Sequence, residues 1–258
     1  MTLLFPSPVF GPVHSRRLGI SLGINLLPGD GKVCNFDCIY CECGFNRDFP
    51  TRQRFPGRDD VAGSLDAKLR SMQAEGRLPD VITFAGNGEP TLHPQFPAII
   101  DDTLRLRDQY CPQARVSVLS NGTRILDPAV FEALKRVDNN ILKLDTVSTD
   151  YIRRVDRPHS PHFELSSIVS RMADFQGRCI VQTMFLEGTY EGCDVSNLSD
   201  RYVQPWLQAV CRIQPSEVMI YTIERDTPSP HLRKAAPAHL DRIAALVRQA
   251  GLPCQVSY

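Results

Sequence analysis

Three cysteines share one short run, Val33-Cys34-Asn35-Phe36-Asp37-Cys38-Ile39-Tyr40-Cys41, with three residues between the first pair and two between the second. That spacing presents three thiolates from a single loop, and thiolates are the ligands that hold iron-sulfur clusters. A four-iron cluster held this way keeps one iron without a cysteine, free to bind and activate a ligand. Zinc also takes thiolates, but a structural zinc site closes with four ligands, usually two pairs from separate turns. The chain has no second Cys-x2-Cys pair and no two histidines at zinc spacing, and Cys43 follows Cys41 too closely for an easy tetrahedron. The pattern favours an iron-sulfur cluster over zinc, and over ordinary free thiols.

The elements that must position this loop read as parallel strand-and-helix units, because short apolar runs alternate with longer helical patterns. Strands are expected at Gly19 to Leu26, Val81 to Ala85, Val116 to Ser120, Ile141 to Asp145, Cys179 to Leu186 and Val218 to Ile223. Helical spacing links Leu65, Leu69 and Met72, and again Val130, Leu134 and Val137. Asp127 followed by Pro128 reads as an N-cap and first helical residue, while Gly251 and Pro253 close a helix carrying Leu240, Ile243 and Val247. Six such units predict an α/β fold, a partial (β/α)6 TIM-like barrel whose parallel sheet is open on one side. In such barrels chemistry gathers at the C-terminal strand ends, and the polar loops fall there. The cysteine loop, residues 28–46, follows the first strand, Gly86-Asn87-Gly88-Glu89-Pro90 the second, and Ser120-Asn121-Gly122-Thr123 the third; Asp145 ends the fourth. Residues 1–258 read as one domain, with residues 1–17 as an N-terminal extension.

Lys plus Arg equals Asp plus Glu at 29 each, so there is no global electrostatic case for a polyanionic partner; tRNA would need a local patch. Arg52, Arg54 and Arg58 could form one, although a solvated loop spanning Phe49 to Asp60 fits better. The N-terminus has no charged region ahead of an apolar core, and no apolar run is long enough to cross a bilayer, so a cytoplasmic protein is expected. Six further cysteines, Cys43, Cys111, Cys179, Cys193, Cys211 and Cys254, then read as mostly free thiols.

With these residues in view, the chain resembles the radical S-adenosylmethionine (SAM) superfamily. Cys34, Cys38 and Cys41 match its Cys-x3-Cys-x-aromatic-Cys motif, with Tyr40 as the aromatic, and Gly86-Asn87-Gly88-Glu89 resembles its Gly-Gly-Glu motif with Asn87 inserted. Within it, Gly11 to Gly19, Ser21 to Ile24 and Gly86 to Pro94 are similar to the group containing the wyosine-base synthases, which modify a purine in tRNA. The archaeal tRNA enzymes carry further cysteines ahead of the main motif, and no cysteine precedes Cys34 here.

The resemblance implies a [4Fe-4S] cluster on Cys34, Cys38 and Cys41, with SAM chelated to the open iron and cleaved reductively to a 5′-deoxyadenosyl radical that abstracts hydrogen from a substrate. It implies a one-electron donor such as flavodoxin or ferredoxin. Gly86, Asn87, Gly88 and Glu89 would meet the methionyl amino end, since glycine backbone can approach a ligand closely. Strand alternation puts Lys143 and Asp145 on one face, opposite Leu142 and Leu144. Asp145 would take the ribose hydroxyls, with Ser120 and Asn121 on ribose or carboxylate; the alternative is an interior ion pair. Tyr40, Gln182 and Met184 would border adenine or substrate. Lys143 and Cys193 are the candidates for a direct catalytic part, and His14, Arg16 and Arg17 for an anionic substrate group. The expected substrate is a nucleobase, nucleoside or other small molecule. An enzyme activating a partner protein through a glycyl radical, and a non-catalytic iron-sulfur or electron-transfer protein, are the alternatives.

Overall fold

The computed structural model describes residues 3–15 and 19–258. Arg16 and Arg17 lie outside the described residues. The chain opens with β1 (Val9–Ser15) and β2 (Gly19–Ile24), then runs through α1 (Arg58–Ala74), β3 (Val81–Phe84), α2 (Phe96–Tyr110), β4 (Arg115–Ser120), α3 (Pro128–Leu134) and β5 (Asn139–Lys143). The second half holds α4 (Thr149–Val155), α5 (Leu165–Ala173), β6 (Ile180–Met184), β7 (Leu186–Tyr190), β8 (Cys193–Asp194), α6 (Asp200–Ile213), β9 (Glu217–Tyr221), β10 (Leu232–Lys234), α7 (Pro237–Gln249) and β11 (Cys254–Ser257).

The main sheet has the order β1-β2-β3-β4-β5-β6-β9-β11. From β2 to β11 every pairing is parallel, and β1 runs antiparallel to β2. The six expected parallel strands are present, and both edges extend beyond them. β11 is four half-buried residues behind Pro253, too short and mixed to stand out as an apolar run. β1 carries Pro12 and an irregular register between Phe10 and Val13, features an edge strand tolerates. The expected strand Cys179 to Leu186 ends early, and Leu186 starts β7, which joins β10 and β8 in a separate three-stranded sheet.

Alternation divides the strands into two faces. Leu22, Ile24, Ile82, Phe84, Val116, Val118, Leu142, Leu144 and Val181 point outward into the core beneath the helices. There they meet Leu65, Leu69 and Met72 of α1 and Leu240, Ile243 and Val247 of α7, each such burial stabilising by about 1.5–3 kcal/mol. The cap on α3 is as expected: the Asp127 carboxylate accepts from Ala129 N at 3.0 Å with Pro128 behind it. The inner face presents Ser21, Gly23, Thr83, Leu119, Ile141, Gln182 and Met219, which line a cavity of about 330 Å³. No helix among the described residues is long and apolar enough to cross a membrane.

Candidate functional site

The cysteine loop is clamped from two sides. On one side Val33 lies in a parallel bridge with Gly88: Val33 N donates to Asn87 O at 2.9 Å, and Glu89 N donates back to Val33 O at 3.1 Å. Gly88 has φ +134°, and a Cβ there would fall 1.9 Å from Val33 O, so only glycine lets the two backbones meet. On the other side the end of α4 accepts the loop, with Ile39 N on Val155 O at 2.9 Å and Asp37 N on Asp156 O at 3.0 Å. Ile39 is fully buried and packs with Tyr151 and Val155. Inside the loop, Asn46 accepts from Cys34 N at 3.2 Å and donates to Phe36 O at 2.9 Å. All nine cysteines are free thiols, and Cys34, Cys38 and Cys41 stay partly exposed.

The three sulfurs differ in readiness to ionise. Burial pushes Cys34 up to about 12, and Cys38 also rises on burial despite the attraction of Lys143. Cys41 falls to about 6 because the Cys43 thiol hydrogen-bonds it and Lys32 attracts the thiolate, which outweighs its burial. Among the described residues no three His, Cys, Asp or Glu side chains converge on a single metal ion. Three unpaired cysteines on one braced loop fit a cluster, whose irons lie apart from one another. Phe36 N at 3.4 Å and Asn121 Nδ2 at 3.7 Å already point at the Cys34 sulfur.

Glu89 is 2% exposed, and its carboxylate accepts from Thr91 N at 3.1 Å, Thr91 Oγ1 at 2.5 Å, Ser120 Oγ at 2.9 Å and Asn121 N at 2.7 Å. It braces the end of β4 against the glycine turn, and Ser120 and Asn121 are engaged there. Asn121 also donates to Asn35 Oδ1 at 2.8 Å, tying that strand end to the cysteine loop. Asn87 turns out to be an anchor: its fully buried amide accepts from Phe5 N at 2.7 Å and donates to Phe5 O and Pro28 O, both at 2.9 Å. Its side chain holds the N-terminal segment over the turn.

Lys143 and Asp145 point inward, as alternation requires, and form an ion pair that also takes in Asp156 and Tyr40. Lys143 Nζ contacts Asp145 and the Tyr40 hydroxyl, reaches Asp156 Oδ1 at 2.5 Å and lies 4.6 Å from the Tyr40 ring centre. Tyr40 donates to Asp145 Oδ2, while Asp145 Oδ1 accepts from Met184 N at 2.9 Å. Asp145 and Asp156 hold Lys143 well above its ordinary range against its burial, while burial, with Asp145 adding to it, raises Asp156, whose Oδ2 is unpartnered, despite the attraction of Lys143. Sequence reasoning missed Asp156, which sits in the charged run Arg153-Arg154-Val155-Asp156-Arg157 with no spacing to mark it out. It missed Lys32 too, which stands between Gly31 and Val33 with no spacing to mark it.

Gln182 and His14 line the barrel cavity together with Glu42 and Arg225, which pair at 2.6 Å. Met184 packs with Ile39 and Tyr40 and lines a smaller pocket with Tyr40 and Tyr221. Cys193 is exposed on β8 and lines no part of that cavity, so it is not brought to the other candidates. The arginine patch is broken up: Arg58 starts α1, two residues before the expected end of the loop, and grips Asp102 at 2.6 and 3.1 Å. Arg52 and Arg54 are exposed.

Comparison with known proteins agrees with this layout. Residues 30–186 match the Radical SAM superfamily. A UPF0026 protein of Synechocystis is 32% identical over 233 residues, covering 88% of this chain and 79% of that one. A UPF0026 protein of Helicobacter pylori is 29% identical over 219 residues, covering 84% of this chain and 66% of its own length, so the chain spans about two thirds of that relative. Among solved structures, a radical SAM methyltransferase from Sphaerobacter thermophilus aligns with TM-score 0.67 at 14% identity, over 92% of this chain and 66% of that one. TYW1 with a lysine-pyruvate adduct bound aligns with TM-score 0.61 at 13% identity, over 89% and 73%. At such identities these two likenesses concern the fold.

Proposed function

Because the chain belongs to the radical SAM superfamily, and with its Synechocystis relative to the UPF0026 family, we propose that it is an enzyme that cleaves SAM reductively and uses the resulting radical on a small molecule. The observation that carries this reading is the clamped loop of Cys34, Cys38 and Cys41 set against the Gly86–Glu89 turn. Cys34, Cys38 and Cys41 would hold a [4Fe-4S] cluster. When bound, cluster and SAM supply a 5′-deoxyadenosyl radical that takes a hydrogen atom from the substrate.

The chain's own residues hold and shield. Gly86 and Gly88, both at positive φ, let the turn close onto Asn25 and Val33, which sets its backbone beside the cysteine loop where the methionyl end of SAM would lie. Tyr40 and Asp145 lie at the loop end of the barrel for adenine and ribose; to serve the ribose, Asp145 exchanges the Tyr40 hydroxyl for sugar hydroxyls while Lys143 keeps its charge balanced. Gln182 offers an amide in a wall that combines Leu119, Ile141 and Met219 with Ser21 and Thr83, a setting suited to a flat, partly polar molecule such as a nucleobase. The electron comes from a donor of the flavodoxin or ferredoxin class.

The test is anaerobic reconstitution with iron and sulfide, followed by dithionite and SAM. Near four irons per chain and release of 5′-deoxyadenosine are expected. A fully loaded protein that releases none would overturn the enzymatic reading, and cleavage that required a partner protein would redirect it to an activating enzyme.

A further inference from the structure

Lys32 is an ammonium in an unusual place. Its side chain is 1% exposed and crosses the base of the cysteine loop, from two residues before Cys34 to the carbonyl of Gly44, which Nζ reaches at 2.6 Å. Gly44 in turn donates from N to Cys41 O at 2.9 Å, so the ammonium sits on the turn that closes the cysteine run. A buried lysine needs a counter-charge, and the carboxylate available to it, Asp37, lies at 3.6 Å and is heavily shared. The same Asp37 Oδ1 accepts Asn46 N at 2.8 Å and Asn46 Nδ2 at 3.0 Å, and Oδ2 faces Arg157 at 3.8 Å.

We infer that Lys32 is a positioning residue for the cluster proposed above: its buried charge balances the three thiolates and raises the cluster's reduction potential. This rests on the reading that Cys34, Cys38 and Cys41 bind iron and sulfide. Three thiolates leave the oxidised cluster with net negative charge, and accepting one electron from the donor adds another with no proton taken up. A cation fixed inside the loop favours that step. Hydrogen bonds to cluster sulfurs and local charge are the levers by which a protein sets such potentials. Lys32 acts through the charge it places beneath the cysteine loop.

The experiment is a dithionite redox titration of the reconstituted full chain, followed by the cluster's EPR signal, with iron counted in the same samples. The parent must first load near four irons; if it does not, the cluster reading fails and this inference with it. Lys32→Met keeps length and removes charge. It is expected to load iron and lose at least tenfold in the reduction equilibrium constant, a downward shift of about 59 mV for one electron. Full loading with an unchanged potential overturns the inference. Should K32M not assemble a cluster, Lys32→Arg decides: loading at the parent's potential supports the role of charge, and any other result for K32R overturns it.

Discussion

Residue by residue, the site separates groups whose meaning is local from groups whose meaning is supplied by distant partners. Cysteine spacing and glycine turns are local, because ligand type and backbone freedom belong to the residue itself, and both were legible in the sequence. Asn87 and Asp156 were not, since their partners lie elsewhere in the chain, as with Asn87 and Phe5 or Asp156 and Lys143, and Lys32 was not, since only the folded loop brings Gly44 and Asp37 to it. Gly88 offers the sharpest test at this scale. A methyl group there would meet Val33 O at 1.9 Å on a backbone at φ +134°, so Gly88→Ala must part the turn from the loop. A loss of several kcal/mol in unfolding free energy is expected, about the upper range for single substitutions, together with loss of iron binding. Gly63, exposed within α1 with nothing near its would-be Cβ, is the control: Gly63→Ala should stabilise by about 1 kcal/mol and leave iron content unchanged. Equal iron content in the two variants would refute the role given to Gly88.

The elements were easier to read than their ends. Barrel strands buried on both faces give dense apolar runs, which is why β2 to β6 and β9 stood out, whereas β1 and β11 at the edges need less apolar character and did not. What the sequence could not disclose is that α4 works as a brace. Its last turn takes two backbone hydrogen bonds from the cysteine loop, and Asp156 just beyond it meets Lys143 of β5 and Tyr40 of the loop. Strand, helix and loop thus share one part-buried cation. Lys143→Met strands two carboxylates that are 5% and 0% exposed, and a loss of about 3–5 kcal/mol is expected in chemical denaturation. Adding Asp156→Asn should recover part of that loss, because one buried charge goes with its partner. If the two losses simply summed, the three elements would not be joined through this network.

Across the whole molecule, stability in the metal-free state should carry opposing pH dependences. Asp156 is raised to about 7, by burial first and by Asp145, against the attraction of Lys143; unfolded, it returns to 3.8. Between those values the folded chain holds a proton the unfolded chain releases, so this group makes stability fall as pH rises. His93 acts the other way. Burial lowers its pKa from 6.5, and the neutral ring donates from Nε2 to Pro56 O at 2.9 Å and accepts from Gln95 N at 3.1 Å through Nδ1. Below 6.5 the unfolded chain takes up a proton that the folded one resists, so this group makes stability fall as pH drops. Each can contribute a slope of at most about 1.4 kcal/mol per pH unit, and in the parent the two oppose each other just below pH 6.5. Asp156→Asn removes the falling contribution, so its unfolding free energy should slope more upward with pH than the parent's. His93→Gln removes the rising one and should slope more downward. Urea denaturation of the three proteins across that range reads the difference, and curves that shift in height while keeping the parent's slope would show that neither group titrates as its surroundings dictate.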